Sequence, residues 1–493
     1  MMRRPVAVAV WLFVVVMCLF LDSPSLAVRW TDTTERKTLE YGCGEEQDVD
    51  RIVALPGQPP VDFAMYAGYI TVDEKAGRAH YYFFVEAEEN SEEKPLVFWF
   101  NGGPGCSSIA YGFAEELGPF FINSGGESLR LNRDSGNKVA NVLFVESPAG
   151  TGFSYSNTSS DLLAAGDFRT AKDNYAFVTN WFKRFPQYRG RPFFLAGESY
   201  AGLYIPELAK LIYDNNKKLT SQSRINFMGF MVGNPVIDAY SDNWGYIDFL
   251  YYHALISDET YSQMKKACKF THDNAPLSRE CIQLMFYQST NEYGGIDPYS
   301  IYAPACVSES STNSSRNHFH RGLQQTSKNP VLGLVRQGYD PCTYDNSLIY
   351  FNRPDVQKAM HANTTGIPYP WVGCSDQLIV NWKDSAATVL PIYRELLNAG
   401  LRLWVISGDS DSVVPVTGTR YALASLNLPI VVPWYSWYHH QQVGGREVVY
   451  KGNLTLVVVR GAGHEVPLLR SAQWLQVFES FLKGSLLPSN PYN

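Results

Sequence analysis

The amino-acid sequence predicts an α/β fold, in which a central, mixed and mostly parallel sheet is flanked by helices. Short, almost continuously apolar runs recur along the chain, and such runs are typical of strands buried on both faces of a sheet. Helix-like segments at 170–185 and 205–216 lie between them, and this alternation is the pattern of a layered α/β protein. The composition agrees, because 45% of the residues are hydrophobic and only 18% are charged. The predicted strands lie at 96–100, 142–145, 193–196, 227–232, 403–406 and 454–459.

The first element of the chain is a predicted secretory signal peptide at residues 1–27. Arg3 and Arg4 precede an apolar stretch at 6–20, and the small residues around Ala27 fit a cleavage site. We expect this segment to be removed and the protein to be secreted, with the vacuole or the cell exterior as its destination. The apolar stretch is too short to span a bilayer, so we expect no membrane contact after removal.

The mature chain is predicted to contain one α/β core, at 28–240 and 345–493, with one insertion. The core begins with a β-hairpin at 67–86, whose strands flank a turn at 73–77. The insertion at 241–344 has helical stretches such as 257–269 but no clear buried strand. Its polar segment at 307–330 predicts an exposed loop that proteases could cut.

The charge of the chain excludes one class of partner. The formal net charge is −7 at pH 7, and Lys and Arg form no basic stripe, so we expect no nucleic-acid partner. The sequence leaves a monomer and a homodimer as open alternatives.

The cysteines predict disulfides. The chain has eight cysteines, of which Cys18 leaves with the signal peptide, and an oxidising compartment favours pairing of the others. No pair has C-x-x-C spacing and none is flanked by histidines, so we expect no zinc site. Secretion also predicts glycosylation at the N-x-S/T sequons, which are at Asn157, Asn313, Asn363 and Asn453.

A serine on a sharp turn follows the predicted strand at 193–196. The sequence GESYAG at 197–202 places small residues on both sides of Ser199, so the strand can turn abruptly into a helix and expose the hydroxyl. The pattern is close to G-x-S-x-G, with Ala201 in place of the second glycine. It is typical of a hydrolase nucleophile.

A nucleophilic serine needs a base and a residue that orients the base, and candidates follow two later strands. Asp409 and Asp411 follow the strand at 403–406, and His464 follows the strand at 454–459 behind a Gly-rich turn. The chain order Ser, Asp, His is that of a hydrolase built on a sheet. The pattern does not choose between the two aspartates.

The loop NGGPG at 101–105 predicts an oxyanion hole. It follows the strand at 96–100, and its glycines let backbone N–H groups face the site without an intervening side chain. The N–H of Tyr200 would supply a second donor to the oxygen that becomes negative during attack.

Six motifs together resemble the secreted serine carboxypeptidase family, and most closely its plant two-chain (class II) branch. The resemblance extends from about residue 49 to the C-terminus. The motifs are LPGQP at 55–59, NGGPGCSS at 101–108, ESPAG at 146–150, GESYAG at 197–202, GDSD at 408–411 and GAGHEVP at 461–467.

The resemblance implies an α/β-hydrolase fold with a helical insertion, or cap, and a role for each part of the site. It assigns the catalytic triad to Ser199, Asp411 and His464, and the oxyanion donors to the N–H groups of Gly103 and Tyr200. No metal or cofactor is expected.

The resemblance also implies a covalent framework. It pairs Cys106 with Cys374, Cys268 with Cys281 and Cys306 with Cys342, and leaves Cys43 unpaired. The polar segment at 307–330 corresponds to a linker whose excision leaves two disulfide-linked chains.

A substrate site for a free C-terminal carboxylate is implied as well. Its members are Asn101, the Gly102 N–H, Glu115 and Glu198. An ionised glutamate would repel a carboxylate, whereas a protonated one donates a hydrogen bond. We therefore expect the protein to release C-terminal amino acids from peptides or proteins through an acyl-enzyme, at acidic pH.

Two other functions are considered. An acyltransferase of the same family would use a glucose ester as donor, but those members usually replace the residues equivalent to Asn101 and Glu198. A secreted binding or protective protein with a silent site is the third alternative, and the intact triad argues against it.

Four positions depart from the common family pattern. The family usually has His at Leu203, Val at Thr151, and Trp at both Gly136 and Arg446. None belongs to the triad, so we expect these departures to affect substrate preference more than catalysis.

Overall fold

The computed structural model describes residues 43–273, 275–306, 340–367 and 370–492. The predicted signal peptide, the polar segment at 307–330 and the sequon at Asn313 lie outside these residues, as does the side chain of Cys43.

The central sheet has twelve strands, and two short strands pair separately. The sheet order is β1-β2-β3-β7-β4-β9-β10-β11-β14-β13-β12, with β8 beside β3, and β5 pairs with β6. The strands are β1 Arg51–Ile52, β2 Met65–Asp73, β3 Arg78–Val85, β4 Leu96–Phe100, β5 Phe120–Ile122, β6 Leu129–Leu131, β7 Asn141–Val145, β8 Tyr155–Ser156, β9 Phe193–Glu198, β10 Phe227–Gly233, β11 Arg402–Gly408, β12 Ile430–His439, β13 Gln442–Tyr450 and β14 Leu454–Val459.

The middle of the sheet is parallel. Strands β7, β4, β9, β10, β11 and β14 all run in one direction, and antiparallel strands continue the sheet on both sides. Since parallel strands need crossover connections, helices cover both faces.

The α-helices connect or flank these strands. They are α1 Cys43–Asp50, α2 Asp167–Arg184, α3 Ala201–Asn216, α4 Ala239–Tyr252, α5 Asp258–Ala267, α6 Arg279–Tyr287, α7 Thr343–Phe351, α8 Pro354–Ala359, α9 Asp376–Asn381, α10 Leu390–Asn398, α11 Val416–Ser425, α12 Val466–Leu469 and α13 Ser471–Lys483. Two segments, Ile109–Glu116 and Gln288–Glu292, are π-helices. Short 3₁₀ turns lie at Gly136–Lys138, Ser159–Leu163, Pro186–Tyr188 and Ser221–Ser223.

The hydrophobic core lies in two layers, one on each face of the sheet. Strand β4 shows the arrangement, because Phe98 packs with the core that includes Trp181 of α2, while Trp99 packs with the core that includes Phe478 of α13. Successive side chains of a strand point to opposite faces, so a wholly apolar strand serves both layers. This explains why the central strands appear in the sequence as continuous apolar runs.

The described part of the predicted insertion is helical. Helices α4 to α6 form a separate apolar cluster around Phe249, Met264 and Met285, and no strand occurs in the described residues between 241 and 306. The boundaries predicted for the insertion remain a prediction.

The structure contains the three disulfides that the resemblance implied. They join Cys106 to Cys374, Cys268 to Cys281 and Cys306 to Cys342. Asp345 lies close to the last pair, but sulfurs joined in a disulfide cannot act as thiolate ligands for a metal.

All six predicted buried strands and the first hairpin form, whereas the hairpin of β12 and β13 was not predicted. Strand β12 is the edge of the sheet, contains Pro433 and exposes Ile430, Val431 and Trp434. A proline is tolerated in an edge strand because its nitrogen, which has no hydrogen to donate, can face solvent instead of a neighbouring strand. Sequence reasoning missed this strand because it has neither a continuous buried run nor a regular alternation.

Among the helices of the described residues, none combines the length and the apolar character needed to cross a bilayer.

Candidate active site

The candidate residues are brought together by the carboxyl ends of neighbouring parallel strands. The 101–105 loop follows β4, Ser199 follows β9, Asp411 follows β11, and His464 follows β14. Parallel strands end at one edge of a sheet, and side chains from the loops beyond that edge share one crevice.

Ser199 lies on a strained turn between β9 and α3. Its φ is +63°, a left-handed conformation that is uncommon for residues other than glycine and is typical of a nucleophile at a strand-to-helix turn. A Cβ on Gly197 would lie 2.3 Å from the carbonyl oxygen of Phe100, and one on Gly202 would lie 2.3 Å from that of Val236. The glycines are therefore required by the close approach of the end of β4 at Gly197 and of the segment after β10 at Gly202.

Ala201 replaces a glycine without disturbing this turn. The Cβ of Ala201 would lie 3.0 Å from a Cβ added to Gly197. The methyl group therefore occupies space that the absence of a side chain at Gly197 leaves open.

His464 bonds to Asp411. Its Nδ1 lies 2.7 Å from Oδ2 of Asp411, and both side chains are buried. Burial alone would lower the pKa of His464, but the charge of Asp411 and this hydrogen bond outweigh it and raise the pKa. The carboxylate thus orients the imidazole and stabilises its protonated form.

Asp409 has a different partner. Its Oδ1 accepts a hydrogen bond of 2.6 Å from the N–H of Gly461, in the loop that leads to His464. Of the two aspartates that the pattern left open, Asp411 contacts the histidine and Asp409 braces the histidine loop.

Asp411 has further hydrogen-bond donors. Its Oδ1 accepts from the N–H of Val413 at 2.8 Å, and its Oδ2 accepts from Nδ2 of Asn234 at 2.8 Å. Asn234 follows β10, the strand between those that lead to Ser199 and Asp411. Sequence analysis missed it, although its position just beyond the predicted strand at 227–232 was a usable signal.

The glycine loop packs directly against the backbone of the serine turn. A Cβ on Gly102 would lie 2.3 Å from the nitrogen of Tyr200, and Gly103 has a φ of +107°. The backbone at Gly102 therefore lies beside the N–H of Tyr200, and Gly103 follows it directly in the loop, an arrangement that suits an oxyanion hole. The disulfide between Cys106 and Cys374 anchors the end of the loop.

Three buried side chains form a hydrogen-bonded acid cluster beside the serine turn. Nδ2 of Asn101 donates to Oε1 of Glu116 at 2.9 Å and to Oε1 of Glu198 at 3.0 Å. Oδ1 of Asn101 accepts from Trp99 Nε1 and from the Gly112 N–H, so the orientation of the amide is fixed.

Glu115, which the resemblance placed in the carboxylate site, lies outside this cluster. Its Oε1 accepts a hydrogen bond of 2.5 Å from Ser347 of α7, while its neighbour Glu116 faces Asn101 and Glu198. The segment is a π-helix, whose i→i+5 hydrogen bonds give each residue a different angular position from that in an α-helix. Sequence spacing could not distinguish two adjacent glutamates.

The two carboxyls of this cluster and that of the nearby Glu465 have raised pKa values. Burial raises the pKa of Glu116 to about 7, and burial together with the neighbouring Glu116 raises the pKa of Glu198 well above its ordinary value. Burial and the charge of Glu116 also raise the pKa of Glu465, next to His464, to about 8. At mildly acidic pH these carboxyls are therefore predominantly neutral hydrogen-bond donors.

A segment of the predicted insertion covers the histidine and aspartate loops. The N–H of His464 donates to the carbonyl oxygen of Tyr299 at 2.7 Å, and the Tyr299 ring packs edge-on against the imidazole. The Ser412 hydroxyl donates to the carbonyl oxygen of Pro298 at 2.7 Å. This segment thus packs directly against the loops that carry His464 and Asp411.

The four departures from the family pattern lie in packed surroundings. Leu203 is buried in the core under α3, and a Cβ on Gly136 would meet Leu117 at 3.2 Å. Thr151 is buried, and its hydroxyl has no partner among the described residues. Arg446 lies in β13 and donates to a neighbouring carbonyl oxygen.

Comparisons with known proteins agree with this geometry. A family model described as serine carboxypeptidase matches residues 56–484. Serine carboxypeptidase 24 of Arabidopsis thaliana is 53% identical over 445 residues, which cover 90% of this chain and 94% of that protein. Serine carboxypeptidase-like 25 of the same plant is 50% identical over 458 residues, which cover 92% of this chain and 96% of the relative.

A solved structure supports the fold. Kex1(delta)p, a prohormone-processing carboxypeptidase from Saccharomyces cerevisiae, has a TM-score of 0.73 and 22% sequence identity, covering 90% of this chain and 98% of the other. The predicted fold class is confirmed by this likeness and by the observed sheet.

Proposed function

The chain belongs to the serine carboxypeptidase family, and from this premise we propose that it releases C-terminal amino acids from peptides at acidic pH. The observation that carries the proposal is the buried cluster of Asn101, Glu116 and Glu198 beside the serine turn. Such a cluster suits a free substrate carboxylate better than an uncharged ester.

The proposed reaction is nucleophilic catalysis by the triad. The Ser199 hydroxyl attacks the carbonyl carbon of the last peptide bond while His464 accepts its proton. His464 then gives that proton to the leaving amino group, and the C-terminal amino acid departs. Water attacks the acyl-enzyme in the same way and releases the shortened peptide.

The oxyanion formed in each step would bind to the N–H groups of Gly103 and Tyr200. This role is supported by the packing of the glycine loop on the serine turn, because the donors are held in place before the reaction begins. Asp411 would keep the imidazole in the tautomer that presents Nε2 to the serine.

Recognition of the substrate terminus would depend on Asn101, the Gly102 N–H, Glu198 and Glu116. The second oxygen of Glu116 is buried and has no hydrogen-bond partner among the described residues. When it carries a proton it can donate to the substrate carboxylate. When it is ionised it repels the same group.

The upper pH limit of substrate binding follows from the direction in which these pKa values are shifted. Both carboxyls have raised pKa values, so the binding form is fully present at low pH and is lost as the pH rises through about 7. The raised pKa of His464 opposes catalysis already at mildly acidic pH, because a protonated imidazole cannot act as base and the ordinary pKa of histidine is about 6.5. The proposed acidic range therefore rests on substrate binding, which weakens as the pH rises through about 7.

One experiment separates the proposal from its alternatives. The secreted protein is given blocked dipeptides and glucose esters at mildly acidic pH, beside the Ser199→Ala variant. Amino-acid release that the variant lacks supports the carboxypeptidase. Transfer from the ester without peptide cleavage would indicate an acyltransferase, and no turnover of either would indicate a silent binding protein.

Secretion to the cell exterior or the vacuole is part of the proposal. Three disulfides support it, because they persist in oxidising compartments. The predicted removal of residues 1–27, glycosylation at Asn157, Asn363 and Asn453, and excision within 307–330 can be tested together by mass spectrometry of the secreted protein.

A further inference from the structure

Asn234 occupies a position from which it acts on the catalytic aspartate. It directly follows β10, is completely buried, and donates from Nδ2 to Oδ2 of Asp411 at 2.8 Å. We propose that Asn234 is a positioning residue that fixes the orientation of Asp411. Like His464, it donates a hydrogen bond that partly neutralises the negative charge of this carboxylate. This inference rests on the proposed serine mechanism.

The hydrogen bonds leave Asp411 a single orientation. The same Oδ2 accepts from Nδ1 of His464 at 2.7 Å, while Oδ1 is held by the N–H of Val413 at 2.8 Å. Removing Asn234 would leave His464 as the sole side-chain donor to this oxygen among the described residues. The N–H of Val414, at 3.3 Å, would remain as a longer backbone hydrogen bond to Oδ2, so the carboxylate, and the imidazole with it, would be held less firmly.

The amide of Asn234 is itself held in one orientation. Its Oδ1 accepts a hydrogen bond of 3.1 Å from the N–H of Gly408, at the end of β11. Since a backbone N–H can only donate, Oδ1 must face Gly408 and the NH₂ group must face Asp411. The assignment of oxygen and nitrogen therefore follows from the surroundings.

The backbone at the end of β10 forms hydrogen bonds with two neighbouring elements of the site, β11 and the serine turn. Its N–H donates to the carbonyl oxygen of Ile406 at 2.7 Å, and the carbonyl oxygen of the preceding Gly233 accepts from the N–H of Ser199 at 2.9 Å. The serine turn and β11, the strand that leads to Asp411, are thus both hydrogen-bonded to the backbone at the end of β10.

A purely structural role must be separated from this one. Asn234 has a φ of +39°, and asparagine is among the few residues that tolerate a left-handed backbone. Glycine tolerates it equally well. An Asn234→Gly variant therefore keeps the backbone conformation and removes the side chain, with its hydrogen bonds to Asp411 and to the N–H of Gly408.

The loss of the amide also changes the charge that His464 experiences. A donor to a carboxylate disperses its charge, so without Asn234 the full attraction of Asp411 acts on the imidazole. Glu465 and Asp297 also act on His464, and the Tyr299 ring packs against its imidazole; the variant leaves all three in place. The pH at which His464 loses its proton should therefore rise.

The experiment measures how fast diisopropyl fluorophosphate modifies Ser199 in the full-length secreted protein between pH 4 and pH 8. In this reaction the serine oxygen bonds to phosphorus, fluoride leaves, and the hydroxyl proton passes to His464, so no peptide recognition is needed. Intact-mass spectrometry follows the modified fraction. Asn141→Ala is the matched control, because Asn141 is a buried asparagine whose amide bridges backbone groups at the opposite end of the sheet.

We expect Asn234→Gly to label about tenfold to a hundredfold more slowly, the effect of losing a hydrogen bond to a charged group. On the acidic side of the rate–pH profile, the labelling rate of Asn234→Gly should begin to fall at a higher pH than that of the parent. Asn141→Ala should match the parent in both rate and profile. In the Asp411→Ala background the same change should cost less than about threefold, because residues that act through one another are not additive.

A second variant keeps the inference falsifiable if the glycine variant fails to fold. In Asn234→Asp the neutral carboxyl can still donate to Asp411, but the ionised form repels it. Its labelling rate should therefore fall at pH values where the parent rate still rises. A parent-like profile in the variant that folds, or an equal loss with and without Asp411, would overturn the inference.

The same data distinguish this inference from the proposed function. A parent protein that labels rapidly but releases no amino acid refutes the carboxypeptidase and leaves the role of Asn234 supported. A parent protein that does not label at all contradicts both.

Discussion

Replacing Glu116 and Glu198 together by glutamine should abolish the pH dependence of substrate binding. Both carboxyls are almost fully buried, with 1% and 4% of their surface exposed, and both accept from Nδ2 of Asn101. Glutamine has the same shape and keeps a hydrogen-bond donor, but it cannot ionise. The double variant should therefore bind a substrate carboxylate equally well at acidic and neutral pH.

The size of the effect follows from the pKa of Glu116, which burial raises to about 7. If only the protonated form binds, the dissociation constant is nearly constant below pH 6 and grows as Glu116 loses its proton. Between pH 5 and pH 8 it should increase about tenfold, because the protonated fraction falls from nearly one to about one tenth. Glu198→Gln alone should retain this increase, since Glu116 still titrates.

The assay is calorimetric binding of a blocked dipeptide to proteins that also carry Ser199→Ala, so that turnover does not complicate the measurement. The corresponding dipeptide amide, which has no carboxylate, is the control and should show little dependence on pH with any of the proteins. A tenfold weakening in the double glutamine variant, equal to that of the parent, would refute the reasoning.

Three further changes test other parts of the site. Asp411→Asn should lower kcat by about 10⁴-fold through the wrong histidine tautomer, whereas Asp409→Asn should retain most activity; steady-state peptidase rates that fall equally in both would contradict the assignment. Gly102→Ala should lower kcat by about 10²-fold or more, because the new Cβ would lie 2.3 Å from the nitrogen of Tyr200. The control Gly190→Ala adds a methyl group in open space and should have the kcat of the parent. Replacing both cysteines of the disulfide that anchors the glycine loop by serine should lower the free energy of unfolding by about 2–5 kcal/mol, and an unchanged urea midpoint would argue that the loop is held without it.

The sequence predicted the central sheet well because its strands are buried on both faces. Such strands must be apolar at every position, and this gives a signal that needs no knowledge of their neighbours. The edge strand β12 gave no such signal, because its side chains are partly exposed and its pairing with β13 depends on the sheet already being formed. Edge strands are specified largely by tertiary context.

The site shows the same division at the level of single residues. Ser199 and His464 could be found because each stands on a Gly-rich turn after an apolar strand. The resemblance assigned Glu115 to the carboxylate site, whereas the structure places Glu116 in the cluster. The difference depends on a π-helical turn that directs the Glu115 side chain toward Ser347 and the Glu116 side chain toward Asn101.

By itself the sequence determined the α/β fold, the order of the serine, aspartate and histidine, and the glycine loop, because each is encoded by a local pattern. Only the tertiary structure decided which aspartate contacts His464, which glutamate joins Glu198, and that Asn234 bridges the loops. These are contacts between residues far apart in the chain, and residues only one or two positions apart direct their side chains to different partners. Such directions are set by how strands and helices pack, and local sequence patterns do not record them.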